Sequence, residues 1–188
     1  MSLAHVILGL LQEQERTGYD LKTECFDQCI VHLWPADQAQ IYRTLDKLEK
    51  QGWITCTVEI QQDRPNRKIY RTTAPGVAEL TRWLQTHQPL PTLREPLLAQ
   101  LHFAAQLPDA AILPLLEQEL AARREKLADC EAQRSRVALE AAPVLSDDGA
   151  TLRQQELRQR VLELMIQREQ TYLEWLQELI EAIQAKAV

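Results

Sequence analysis

From Val77 to Val188 the chain holds a single glycine, Gly149, and is otherwise rich in Ala, Leu, Gln, Glu and Arg. Tight turns and left-handed caps call for glycine, whereas those five residue types are all good helix formers. So long a stretch with so few turn-makers has to fold into long helices. The other four glycines fall before Val77, which puts the short elements in the front of the chain. Pro89, Pro91 and Pro96 mark the changeover near residues 88–95. We therefore expect two domains, residues 1–90 and 91–188, in a mostly α (α+β) fold. Aromatic residues at 5% fit poorly with a β-sandwich or barrel. Neither GxGxxG nor GxxxxGK[ST] occurs, so no phosphate-cradling loop is expected.

In the front part, Ser2 can cap a first helix carrying Leu3, Val6, Ile7, Leu10 and Leu11 at helical spacing. Thr17-Gly18 breaks the chain. Tyr19, Leu21, Cys25, Phe26 and Ile30 predict a second helix, ended by Trp34-Pro35. Asp37 with Gln40 three residues on has the spacing of a capping box, in which each side chain satisfies the other residue's backbone N–H. The helix it opens carries Ile41, Leu45 and Leu48 on one face and stops at Gly52, a C′ position. Residues 53–60 are rich in β-branched side chains and read as a strand. Gln61 to Arg67 is a turn, and residues 68–73 alternate as a returning strand. Ala74-Pro75-Gly76 opens a fourth helix with Val77, Leu80, Trp83 and Leu84. A lone hairpin is unstable in water and must lie on the helices. The order predicts a winged helix-turn-helix with a two-stranded β-wing.

Behind the boundary, helices are expected near 94–106, 109–140 and 151–185, interrupted at Pro108-Asp109 and from Pro143 to Gly149. Along the last helix Val161, Met165, Tyr172, Leu176, Leu179 and Ile183 keep a rough heptad rhythm, with Arg168 intruding. Leu157, Leu164, Leu173 and Ile180 add a second apolar row, so more than one face needs cover. The expectation is a C-terminal helical dimerisation domain, with the first row as its contact.

Charge is distributed unevenly. The whole chain has a net charge of −6, yet between Gln40 and Pro75 seven Lys and Arg face four Asp and Glu. From Leu93 onward the acidic residues prevail, 16 against 11. A basic island on an acidic chain points to a local anionic partner.

Several stretches of the front part resemble the PadR family of winged-helix transcriptional regulators. They are Ile7-Leu8-Gly9-Leu10-Leu11, Thr17-Gly18-Tyr19-Asp20-Leu21, Trp34-Pro35, Gln40-Ile41-Tyr42-Arg43-Thr44-Leu45 and Leu48-Glu49-Lys50-Gln51-Gly52-Trp53-Ile54. Arg64-Pro65-Asn66-Arg67-Lys68-Ile69-Tyr70 and Thr73-Ala74-Pro75-Gly76 complete the set. The resemblance covers about half the chain; for the helical tail it rests on length and pattern. Asp37 and Ala39 depart from the more usual serine cap and glycine or serine. The resemblance implies a homodimeric regulator, more often a repressor, and it suggests release by a flat aromatic effector; no cofactor is expected.

On the winged-helix geometry, Gln38, Gln40 and Tyr42 are expected at base or sugar edges of double-stranded DNA, with Arg43 and Lys47 at phosphates. A glutamine can bridge adenine N6 and N7, worth about 1–3 kcal/mol of discrimination. Tyr42 could equally pack its ring on the wing. Arg64, Asn66, Arg67 and Lys68 at the hairpin turn would grip phosphates or enter the minor groove. Tyr70 is expected to be structural. A two-fold dimer would read a palindromic operator.

Other readings are weighed against this one. Cys25, Cys29 and His32 at i, i+4 and i+7 could bind a metal, making a thiol- or metal-responsive regulator, but no second ligand pair follows and buried core is the default. No metal site is expected. Trp34, Phe103, Tyr172 and Trp175 are candidates for an aromatic effector pocket, against the alternative of core or dimer contact. A protein-interaction module with a degenerate DNA site is the runner-up; it would have no use for the basic wing. Nothing points to an enzyme: His5, His32, His87 and His102 are scattered, and Asp147-Asp148 reads as a solvated loop. Four cysteines suit a reducing compartment, and Val6 to Leu11 is too short to span a bilayer. A soluble, cytoplasmic protein is expected.

Overall fold

The computed structural model describes residues 3–60, 66–140 and 149–186. The chain divides into two compact units, Met1–Pro91 and Thr92–Val188.

In the first unit, α1 (Leu3–Glu13) buries Ile7, Leu8 and Leu11. β1 (Arg16–Thr17) follows, then α2 (Gly18–Asp20), which runs on as a π-helical segment, Leu21–Cys29. Thr17 caps it. The Asp20 N–H donates to Thr17 Oγ1 at 3.0 Å, and the Thr17 N–H donates to Asp20 Oδ2 at 3.0 Å. The wider helix closes with the Ile30 N–H on the Cys25 carbonyl at 2.9 Å, an i to i−5 bond. It turns Leu21, Cys25 and Phe26 into the core, but leaves Tyr19, expected on that face, 64% exposed.

α3 (Gln38–Lys50) opens on the capping box read from the sequence, with Asp37 and Gln40 exchanging both bonds. Ile41, Leu45 and Leu48 are fully buried; taking each such side chain out of water contributes about 1.5–3 kcal/mol. Gly52 carries φ +71°, the left-handed turn that lets the chain leave the helix. β2 (Ile54–Glu59) and β3 (Arg67–Thr72) pair antiparallel, from Ile54 opposite Thr72 to Glu59 opposite Arg67. β1 pairs with the other edge of β3, Arg16 opposite Tyr70 and Thr17 opposite Ile69, so the sheet order is β1-β3-β2. The expected two-stranded wing thus gains a third, two-residue strand at its root. Tyr70, in the central strand, is 2% exposed. Burial pushes its hydroxyl up to about 12, so it stays protonated. α4 (Ala74–Leu84) is capped by Thr73, whose Oγ1 accepts the Gly76 N–H.

The second unit is helical: α5 (Pro96–Phe103) with a 3₁₀ turn at Ala104–Gln106, α6 (Asp109–Glu140) and α7 (Gly149–Lys186). α6 and α7 run antiparallel. Leu116 shares a buried cluster with Leu176 and Ile180, while Arg123 and Lys126, further along α6, meet Glu169, earlier in α7. α7 turns Leu162, Ile166, Glu169, Leu173, Leu176 and Ile180 inward, alternating steps of four and three as a helix seam does. This corrects the expected dimer row at Leu176, which is fully buried within its own chain. Met165, Tyr172, Leu179 and Ile183 are half-buried, and Val161 is exposed. The loop expected from Pro143 through Asp147-Asp148 lies outside the described residues. Among the described residues no helix is long and apolar enough to cross a membrane.

Candidate nucleic-acid interface

Because Ile41, Leu45 and Leu48 fix one side of α3 in the core, the other side faces solvent. Gln38, Gln40, Tyr42, Arg43 and Lys47 are all exposed on it. They differ in what holds them. The Gln40 amide oxygen accepts the Asp37 N–H at 3.1 Å, so bridging an adenine would require the cap to give up that bond, whereas Gln38 stands exposed in the first turn. Arg43 Nε donates to the Ala39 carbonyl at 3.2 Å, which lays its guanidinium along the helix and leaves both Nη groups for other acceptors.

Tyr42 is 37% exposed, outside the core of the first unit. Its ring lies over Gly18 at the start of α2, so close that a Cβ on Gly18 would stand 2.6 Å from Tyr42 Cε1. A side chain at Gly18 would have to push the Tyr42 ring aside.

On the wing Asn66, Arg67 and Lys68 are exposed, and Arg64 lies outside the described residues. Arg67 is engaged: its Nη2 donates to Asp20 Oδ2 at 2.9 Å. Burial pushes the Asp20 carboxyl up, but the hydrogen bonds from Thr17 and Arg67 outweigh it and hold the group below the ordinary carboxylate range. Asp20 is the residue that sequence reasoning missed. Its signal was there: it stands three residues after Thr17, the same spacing that identified Asp37 and Gln40.

The four residues of the expected aromatic pocket are divided between the two units. Trp34 packs against the core of the first unit. In the second unit Tyr172 and Trp175 meet edge to face, centroids 5.4 Å apart, while Phe103 is 70% exposed. A cavity of about 330 Å³ in that unit is lined by polar and apolar residues including Glu95, Leu97, Gln100, Leu115, Glu119 and Arg123, and by none of those four aromatics. Arg123 organises its surroundings. It donates to Glu119 at 2.7 Å, to Glu169 at 3.1 Å and to Glu95 at 3.1 Å, and its guanidinium covers the Tyr172 ring at 3.8 Å.

Cys25, Cys29 and His32 differ in their surroundings. Cys25 is buried, and burial pushes its thiol up to about 11. Cys29 is exposed and its Sγ donates to the Glu24 carbonyl. The helical segment ends at Cys29, before His32. Among the described residues no group of three or more His, Cys, Asp or Glu is placed to hold a metal ion.

Comparison with known proteins follows the same two-part division. Residues 7–82 match the Transcriptional regulator PadR-like family, and residues 93–184 match Virulence activator alpha C-term. The Negative transcriptional regulator PadR of Bacillus subtilis is 32% identical, over 96% of this chain and 97% of its own. A probable transcriptional regulator of Mycobacterium tuberculosis is 34% identical, over 99% and 100%. The crystal structure of Bacillus subtilis PadR in complex with operator DNA superposes with a TM-score of 0.78 at 31% identity, covering 96% of this chain and 98% of that one. That protein in complex with p-coumaric acid gives 0.72 at 30% identity, over 97% and 95%. The Vibrio cholerae virulence activator AphA gives 0.74 at 28% identity, over 98% and 99%.

Proposed function

Since the chain belongs to the PadR-like family of transcriptional regulators, we propose that it binds a specific operator as a homodimer and represses until a small aromatic molecule releases it. The observation that carries the DNA-binding part is the juxtaposition of the exposed polar face of α3 with a basic wing on an otherwise acidic chain. α3 enters the major groove, where Gln38 and Gln40 meet base edges, and Arg43 and Lys47 reach phosphates. Tyr42 holds its helix against Gly18 and presents only its exposed edge. Asn66, Arg67 and Lys68 bring the wing to the flanking backbone.

The homodimer reading is supported by apolar side chains that α6 leaves uncovered on α7: Leu157, Val161 and Leu164. Together with the half-buried Met165 they form the row a second copy would cover. Two recognition helices related by a two-fold axis would read a palindrome, its half-sites about 34–36 Å apart. Repression is supported by the Bacillus subtilis relative, described as a negative regulator. The structure of that relative with p-coumaric acid supports an aromatic effector, for which Tyr172 and Trp175 are the aromatic pair in the second unit.

Selection of bound fragments from a random duplex pool tests this reading. Enrichment of a palindromic sequence is expected. Failure to retain any duplex even at low ionic strength would overturn it.

A further inference from the structure

The two elements assigned to DNA both rest on one short corner of the first unit, Thr17 to Asp20. On one side the ring of Tyr42 from α3 lies on Gly18. On the other, Arg67 of the wing donates to Asp20 Oδ2. The same oxygen accepts the Thr17 N–H, and Thr17 is itself paired with Ile69, two residues along β3 from Arg67. The corner is therefore stitched to the wing by a strand pair and an ion pair, and to the recognition helix by the Tyr42 ring packed on Gly18.

We propose that Asp20 is a positioning residue that tethers the wing's Arg67 to the corner on which α3 rests, so that phosphate grip and helix register are set together. This rests on the DNA-binding reading above. Arg67 spends one of its five N–H donors on the tether and keeps the rest for a backbone oxygen. The Arg67 side chain is 48% exposed and that of Asp20 18%, so the cation faces solvent with its counter-charge behind it. Such a pair has no net charge at a distance and adds little to the sequence-independent pull that any duplex exerts on a bare cation. It favours DNA only where the backbone runs at the spacing the corner dictates. Asp20 thereby contributes to discrimination through Arg67, without touching a base.

Asp20→Asn tests this, because it keeps an oxygen for the Thr17 N–H and removes the charge. Binding is followed by fluorescence anisotropy across a salt series, with a random-sequence duplex and with the duplex enriched by selection. In Asp20→Asn the neutral oxygen no longer cancels the charge of Arg67, which then finds a phosphate on any sequence, so the slope of log K against log salt on the random duplex steepens by up to about 0.9. The ratio of enriched to random affinity falls by about threefold, the scale of an exposed ion pair. Asp20→Glu restores both values, and in an Arg67→Ala background Asp20→Asn changes neither. A change that persists without Arg67, or a slope and ratio unmoved by Asp20→Asn, would overturn the tether. Wild-type protein with no salt-sensitive retention of any duplex would remove the DNA-binding reading, and the tether with it.

Discussion

Gly76→Ala sets helix propensity against packing. Gly76 is the third residue of α4, and Gly52 is the only described glycine with positive φ, so the backbone at Gly76 does not forbid a side chain. On propensity alone, alanine in a helix gains about 1 kcal/mol. A Cβ there, however, would fall inside the van der Waals surface of the Trp53 carbonyl oxygen and 2.9 Å from Thr72 Cγ2. That carbonyl cannot swing away, because it accepts the Thr73 N–H at 2.9 Å, while Thr73 Oγ1 donates to the neighbouring Gly52 carbonyl at 2.6 Å. These two bonds clamp the start of α4 to the root of β2. Relieving the clash breaks at least one, at about 1 kcal/mol, and forces the packing apart at a further 1–3 kcal/mol or so. The clash outweighs the propensity gain, for a net loss of about 2 kcal/mol. In a unit of this size that lowers the melting temperature by about 10 °C. Three of the four tryptophans, Trp34, Trp53 and Trp83, lie in the first unit, so tryptophan fluorescence during thermal unfolding reports mainly on it. A variant that melts at or above the wild-type temperature would refute the clamp.

Arg67→Ala combined with Lys68→Ala should flatten the salt slope on the enriched duplex by up to about 1.8, and on a random duplex by about 0.9, the share of Lys68 alone, read by anisotropy at several salt concentrations. Arg123→Met should destabilise the second unit by about 3 kcal/mol, because it strips a guanidinium from three carboxylates, one of them 7% exposed; urea unfolding followed at 222 nm measures it. Burial pushes the Glu169 carboxyl up, but hydrogen bonds from Lys126 and Arg123 outweigh it and hold the group below its ordinary 4.5. Its contribution is therefore complete above about pH 4.5 and fades as the pH falls through the lower, folded value. Acid titration of stability should give a flatter profile for Glu169→Gln than for wild type. Val161→Glu with Leu164→Glu should yield folded monomers in sedimentation velocity, since both positions are exposed in the single chain. Cutting the chain at Thr151 would be a poorer test, because it removes the helix that covers Leu116.

Much of the first unit was legible because its signals are local. Asp37 and Gln40 stand at the spacing of a capping box, Gly52 ends α3 where a left-handed residue is needed, and β-branched residues mark β2. The two-residue β1 is too short to show any period. The π-helical segment arises from a backbone choice that periodicity does not encode, and Tyr19, in the turn before it, is exposed. At the interface, exposure of the α3 face followed from its apolar stripe. What engages each side chain did not, since Gly18 under Tyr42 and Asp20 beside Arg67 are meetings across 24 and 47 residues of sequence.

The apolar rows of the sequence cut across the inward register of α7 for a chemical reason. The inward seam contains Glu169, and a search for apolar repeats passes over a carboxylate. Two cations supplied from α6, more than forty residues earlier, make the carboxylate tolerable there: Arg123 at 3.1 Å and Lys126 at 2.6 Å. Once Glu169 is admitted, Leu162, Ile166, Leu173, Leu176 and Ile180 fall into one register with it, and all of them are buried within the chain. The residues released from that register are Leu157, Val161 and Leu164, at steps of four and three on another face. One helix cannot cover two faces of its neighbour. The stripe left over lies toward the start of α7, ahead of Arg168, and on the homodimer proposed above it is where a second copy would sit.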